Sequence, residues 1–277
     1  MPGGQAASAA RQRGSDAELD AWLSMAHQLC DTADRTSLDA LRTELRISTK
    51  DDGSYVTEAD QAIERDIRGR LADAFPGHGV VGEEYGEEGR DAPTRWYVDP
   101  IDGTHNFMRG VPIFGTLLGV ERDGELQVGM VSAPALGRRW WARRGGGAWV
   151  RDVLTGGPPR PVRVSSRERL DTAQLLYRSA LDMRSTRVAA GFDSLLSDVW
   201  RERAFGDFWG YTLVADGAAE MMIEQDLHVW DIAGPWVVVE EAGGRMSDFE
   251  GRRDWHAGEA FASNGLLHDQ VLERLHG

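Results

Sequence analysis

The stretch WYVDPIDGTHNF, residues 96–107, ends a β-like run, Trp96-Tyr97-Val98, in an acidic bend. Pro100 has no N–H to give a sheet, so the strand is expected to halt there, just after delivering Asp99. Asp99 and Asp102 stand three apart around the bend. Gly103 permits the backbone geometry that turns both carboxylates and the Ile101 carbonyl toward one point. Such an oxygen-only donor set suits Mg²⁺ or Ca²⁺ and disfavours copper or zinc. The Thr104 hydroxyl can hold a water beside it. Asp-Pro and Asp-Gly also mark ordinary turns, so the segment needs partners elsewhere in the chain.

Two further acidic points sit at expected element ends. Glu83 and Glu84 follow a short apolar run, Gly79 to Gly82, and Asp231 in VWDIAGPW opens a helix whose apolar body ends at Gly243-Gly244. Asp231 by itself reads equally well as a helix cap. Carboxylates brought into one pocket repel each other unless cations neutralise them, and the combination therefore predicts a metal site.

The remaining pattern predicts a mixed α+β architecture in stacked layers. Ser15 or Asp16 caps a helix with apolar residues Leu19, Trp22, Leu23, Ala26, Leu29 and Cys30 at helical spacing, running on toward Leu38–Leu45. A second helix follows Thr57, with Asp60 in its first turn, and stops before Pro76. Strands are expected near 79–82, 96–99, 116–121, 126–132, 139–142 and 148–151. In the second half, strands near 174–177, 220–223, 245–247 and 260–263 alternate with helices near 188–197, 209–217, 232–242 and 266–275. The Gly- and Pro-bearing segment Val153–Pro161 suggests a seam, dividing a half at 15–155 that carries most of the acids from one at 156–277 that carries Asp231. Residues 1–14, small and polar, read as a disordered tail.

With 277 residues and 41% hydrophobic content the chain can bury a sizeable core. A formal net charge of -14 gives no general attraction for nucleic acid, but it is compatible with cation-mediated binding of anions. The single cysteine, Cys30, excludes an intramolecular disulfide and a cysteine cluster for zinc, and reads as a buried apolar thiol. No apolar run reaches signal-peptide or membrane-span length, so a cytoplasmic protein without membrane partners is expected.

Four phrases together resemble the inositol-monophosphatase-like, lithium-sensitive magnesium phosphatases: GEE at 82–84, DPIDGTHNF at 99–107, WDIAG at 230–234 and EAGG at 241–244. Their order and spacing agree from about Asp16 onward. The resemblance implies a layered α/β/α/β/α sandwich and, through the family, a homodimer acting on a small phosphorylated metabolite. It implies that Glu83, Asp99 and the Ile101 carbonyl bind one Mg²⁺, and that Asp99, Asp102 and Asp231 bind a second. Asp60 would support a third ion or its waters. Attack on phosphorus by a water activated at the metals would be oriented by Thr104 and Glu83, with amides of Gly103 and Thr104 holding phosphate oxygens. One departure is Tyr55, where many members carry Pro, in the segment Lys50–Thr57 expected to be a mobile flap.

Substrate choice is expected between Gly206 and Glu224. Glu224 matches by position a carboxylate that contacts the organic part of the substrate, and Asp207 and Phe208 stand where inositol phosphatases tend to show small residues. An acidic and aromatic wall suits a cationic amine or imidazole. GDFWGY, MRGVP (108–112) and SNGLLHD resemble the histidinol-phosphatase branch of the family, with inositol monophosphatase activity as the alternative. Phe208, Trp209 and Tyr211 also read as the buried face of a helix, and Asp207 as its cap. His105 and His228 read as rim and exposed loop. Arg138, Arg139, Arg143 and Arg144 around Trp140 and Trp141 read as long side chains on a sheet edge, although a protein- or RNA-binding module would use the same patch. The run Gly145-Gly146-Gly147, with no phosphate-loop lysine after it, reads as a hairpin turn.

Overall fold

The computed structural model describes residues 15–43, 45–49, 53 and 55–277. The expected tail, and residues 50–52 and 54 of the expected flap, lie outside them. The first helix, α1 (Asp16–Ala40), starts at a capping box in which Ser15 and Glu18 satisfy each other's amides. Its buried stripe is Leu19, Trp22, Ala26, Leu29, Cys30 and Ala33. A short hairpin, β1 (Ile47–Thr49) with β2 (Tyr55–Thr57), leads into α2 (Glu58–Ala74).

Next come β3 (Gly79–Gly82), β4 (Gly86–Glu88), β5 (Thr94–Asp102), the short helix α3 (Thr104–Met108), β6 (Gly115–Arg122), β7 (Glu125–Ala133), β8 (Arg138–Arg143), β9 (Ala148–Asp152) and β10 (Arg160–Pro161). These strands form one eight-stranded sheet in the order β10-β9-β8-β7-β6-β5-β3-β4, antiparallel except for the β3–β5 pair. A five-stranded sheet has the order β12-β11-β13-β15-β14, from β11 (Gln174–Tyr177), β12 (Arg201–Arg203), β13 (Met221–Gln225), β14 (Arg245–Ser247) and β15 (Glu259–Ser263). Its helices are α4 (Ala180–Met183), α5 (Ala189–Asp198), α6 (Asp207–Ala215), α7 (Val229–Glu241) and α8 (His268–His276).

Strand alternation sorts the core into three clusters and so produces five layers, α/β/α/β/α. Trp96 and Val98 of β5 face α1 and α2, while Tyr97 between them faces α6 and α7. In the smaller sheet, Met222 points to that same central layer, and Met221 and Ile223 point outward to α5 and α8. The expected layered sandwich is what the chain builds.

The central helix α7 lies very close to the large sheet because glycines face it. A Cβ on Gly129 of β7 would fall 2.2 Å from the Gly234 carbonyl oxygen, and one on Gly119 of β6 would fall 2.5 Å from the Ala233 Cβ. This glycine seam sets the height of the helix above the strands.

Two expectations are corrected. Pro100 does not halt its strand: β5 continues to Asp102, with three steps from Asp99 to Asp102 set against two from Leu117 to Gly115. At such a bulge the missing N–H of proline is not needed by the ladder, and the Pro100 carbonyl accepts from the Thr116 hydroxyl at 2.8 Å. Second, the Arg/Trp run of β8 is an interior strand, not a sheet edge. Arg139 is buried, reaching Asp34 at 2.6 Å and Asp31 at 2.8 Å on α1, and Arg143 pairs with Asp20 at 2.7 Å. Trp140 is buried too. The run ties α1 to the sheet and offers no open basic patch.

Candidate functional site

The bulge in β5 decides the site's geometry. On a regular strand, residues three apart face opposite ways; the extra residue between Asp99 and Asp102 restores them to one side. Gly103 follows at φ +79, and a Cβ there would meet the Ile113 carbonyl at 2.8 Å. Glycine is therefore demanded by both conformation and space. The chain then turns into α3, where the Thr104 hydroxyl donates to the Ile101 carbonyl at 3.0 Å.

The third carboxylate arrives on α7. Asp231 is in its first turn and accepts from the His228 amide at 2.7 Å, which fixes the side chain at the helix entrance. Pro235 lies four residues on, so the Asp231 carbonyl lacks the usual helical donor. One carboxylate oxygen from each of Asp99, Asp102 and Asp231 lies within 4.8 Å of the others. Asp102 is held from a fourth element, accepting from the Phe208 amide at 2.8 Å.

These groups line a cavity of about 460 Å³ together with Tyr55, Glu83, Ile101, Gly103, Thr104, His105, Asn106, Arg178, Asp207, Phe208, Tyr211, Glu224 and Leu227. The structure thus gathers the candidate site residues named from the sequence, except that neither Glu84 nor Asp60 lines the cavity. Asp60 is buried in the first turn of α2, accepting from the Thr57 amide at 2.9 Å and from the Thr57 hydroxyl. Burial, with the charge of Glu83 adding to it, pushes its carboxyl up to about 6, against the Thr57 hydrogen bonds.

Electrostatically the cavity is a crowd of carboxylates. Burial raises the Asp99 carboxyl well above its usual range, and the charges of Glu83, Asp102, Asp231 and Asp60 push it further. Burial and then Asp207 and Asp231 do the same to Asp102. Asp231 is raised to about 7 by burial, although the His228 amide opposes this. Among the described residues, Asp99 Oδ1 and Asp60 Oδ1 are buried with no hydrogen-bond partner. Oxygen donors that are all anionic, close together and partly orphaned fit a hard divalent cation, which would restore their ionised forms.

The opposite wall is also acidic. Glu224, at the end of β13, is buried and accepts from the Asp207 amide at 3.3 Å. Burial and the Asp207 charge push it up to about 8, while Arg178, 3.8 Å away, pulls it down. Asp207 has φ +56, a conformation uncommon for a non-glycine residue, and does not cap its helix through its side chain. Phe208 and Tyr211 are indeed buried helix residues, and they also form the cavity wall. Tyr55 packs edge-on against His105 at 5.3 Å across the rim. His228 is the exposed N-cap of α7. Arg178 and Tyr211 also line the cavity, and the sequence pattern does not mark them for a binding role. For Arg178 the available signal was its place just after strand 174–177, at a strand's C-terminal end.

A sequence model of the inositol monophosphatase family matches residues 18–277. A histidinol-phosphatase of Mycobacterium tuberculosis is 46% identical over 256 residues, covering 91% of this chain and 97% of that protein. A histidinol-phosphatase of Streptomyces coelicolor is 44% identical, covering 90% and 95%. An inositol-1-monophosphatase of Mesorhizobium japonicum is 33% identical, covering 83% and 85%. Among solved structures, the extragenic suppressor protein suhB of Bartonella henselae superposes with a TM-score of 0.82 at 30% identity, covering 92% of this chain and 98% of that one.

Proposed function

Because the chain belongs to the inositol monophosphatase family, we propose that it is a Mg²⁺-dependent phosphomonoesterase that hydrolyses L-histidinol phosphate to L-histidinol and phosphate. One observation carries the reading: the Asp99–Asp102–Asp231 cluster shares a cavity with a second acidic wall, Asp207 and Glu224, bordered by Phe208 and Tyr211. The first group suits cations that hold a phosphate. The second suits a positively charged leaving group, and histidinol carries an ammonium and an imidazole.

Glu83, Asp99 and the Ile101 carbonyl would hold one Mg²⁺, and Asp99, Asp102 and Asp231 a second, with Asp60 supporting a third. Bound there, the ions supply Lewis-acid polarisation of the phosphate and a lower pKa for water. The chain's own residues do the rest. Thr104 donates its hydroxyl proton to the Ile101 carbonyl, so its lone pairs are left to accept from the attacking water. Glu83 orients that water and receives its proton. Gly103 and Thr104 amides hold phosphate oxygens. The His228 and Phe208 amides fix Asp231 and Asp102 on the leaving-group side. Asp207 and Glu224 hold the leaving amine, while Phe208 and Tyr211 exclude water.

We take the working unit to be a lithium-sensitive cytoplasmic homodimer. Among the described residues no helix is long and apolar enough to cross a membrane. The test is phosphate release with Mg²⁺ from histidinol phosphate, inositol phosphates, fructose bisphosphate and adenosine bisphosphate, with and without lithium and with Asp99→Asn. Turnover of histidinol phosphate well above the others is expected. Faster turnover of inositol phosphate would overturn the substrate assignment, and no release from any ester would overturn the reaction.

A further inference from the structure

Glu83 sits in the turn between β3 and β4, and a carboxylate outside the cavity governs that turn. Glu64, on α2, is fully buried at 0% exposure. It accepts from the Glu84 amide at 2.7 Å and the Tyr85 amide at 3.2 Å. Arg68, one helical turn along, donates to Glu64 at 2.8 Å, donates to the Gly86 carbonyl, and lies 3.6 Å from Glu88. On the other side, the Glu83 amide itself donates to the Val98 carbonyl at 3.2 Å. A Cβ on Gly82 would fall 2.1 Å from Glu64 Oε1, so the carboxylate fills the space that any side chain at 82 would need.

We propose that Glu64, braced by Arg68, is a positioning residue that presents Glu83 to the metal and water side of the site. Burying a carboxylate is costly unless its lone pairs are used, and here each use is a bond to the turn or to the arginine that also grips the turn. Three consecutive amides, those of Glu83, Glu84 and Tyr85, are thereby pinned from two elements, which leaves the Glu83 backbone little freedom. Glu64 is not among the cavity-lining residues, so it acts only through the turn. The proposal rests on the reading of Glu83 as a ligand and proton acceptor.

The test compares wild type, Glu64→Ala, Glu64→Gln and Arg68→Met as full-length proteins. Free Mn²⁺ is counted by its paramagnetic resonance signal during titration, without substrate. Phosphate release as a function of ester concentration, at several Mg²⁺ concentrations, gives kcat and KM separately. Removing an outer-shell partner typically weakens metal binding about 10–100-fold, and a ligand misplaced by about 1 Å costs about 10²-fold in rate. Glu64→Ala is expected to show both losses with the ester's KM little changed, and Glu64→Gln, which keeps one amide acceptor, a smaller loss. Folded variants with wild-type Mn²⁺ affinity and kcat overturn the proposal. If Glu64→Ala does not fold, Glu64→Gln and Arg68→Met decide by the same two readouts. Wild-type protein that takes up no Mn²⁺ sinks the functional reading along with this one, whereas wild-type uptake with unchanged variants sinks only the role of Glu64.

Discussion

Gly129→Ala places a methyl group into the seam between β7 and α7. The new Cβ would lie 2.2 Å from the Gly234 carbonyl oxygen and 2.8 Å from the Val237 Cβ. The nearer atom is backbone, so no rotamer change relieves the clash. The strand cannot retreat, because β7 is paired on both sides within the eight-stranded sheet. To reach even 3.0 Å the helix must lift by about 0.8 Å. Overpacking of this kind costs about 1–3 kcal/mol, a fall of roughly 2–12 °C in melting temperature for a domain of this size. Asp231 rides on the same helix, three residues before Gly234, and its oxygen must stay within a cluster only 4.8 Å across. A displacement near 1 Å should therefore cost about 10²-fold in kcat. Thermal melts and phosphate release as a function of Mg²⁺ measure both effects. A contrasting variant, Gly69→Ala, meets nothing within 4 Å among the described residues on the exposed face of α2, and should stabilise the chain by about 0.5–1 kcal/mol with activity unchanged. A Gly129→Ala enzyme that melts and turns over like the wild type would refute the argument that this seam sets the position of Asp231.

Asp99→Asn should lower kcat by at least about 10³-fold, roughly 4 kcal/mol of transition-state stabilisation. In chelator the same variant should melt at or above wild type, because a neutral amide no longer meets the charges of Glu83, Asp102 and Asp231; a lower melting temperature there would contradict the crowded-carboxylate account. Asp207→Asn and Glu224→Gln should each reduce kcat/KM for histidinol phosphate about 10–100-fold while changing inositol phosphate hydrolysis little, since only the former offers a cation to that wall; equal losses on both esters would count against it. His268 is fully buried between the Ser247 and Ser263 hydroxyls, each 2.9 Å away, and burial lowers its pKa to about 3. A depressed folded pKa means stability present above about 6.5 and lost as pH falls toward 3, at about 1.4 kcal/mol per unit. Denaturant midpoints at several pH values should show His268→Gln with a shallower acid loss than wild type, and parallel curves would remove His268 from the explanation.

Much of this could be read from residue patterns. The stripe from Leu19 to Cys30, the apolar runs of the large sheet and the carboxylates at element ends each carry their signal locally, in periodicity or in an Asp-Gly turn. The elements that escaped notice are those held only by neighbours. Strand β12 is Arg-Glu-Arg and β4 is Gly-Glu-Glu, and both are charged edge strands without apolar alternation. The passage of the strand through Pro100 is not legible locally, because the bulge that excuses its missing N–H appears only when β6 is alongside. Glu64 looks like one more acid on an amphipathic helix until the β3–β4 turn is seen to close over it. Arg178 and Tyr211 enter the cavity because the layered packing brings the end of β11 and helix α6 to the acids of β5, which is a tertiary fact.

The bulge between Asp99 and Asp102 has a meaning for transplantation. Two aspartates spaced three apart and copied onto a regular strand would emerge on opposite faces, one toward each layer of helices. The portable unit is therefore larger than its ligands: the bulge with its imino acid, the Thr116 hydroxyl that occupies the Pro100 carbonyl, and the left-handed Gly103. A designer who moved only the acids would carry away the charges and leave the site behind.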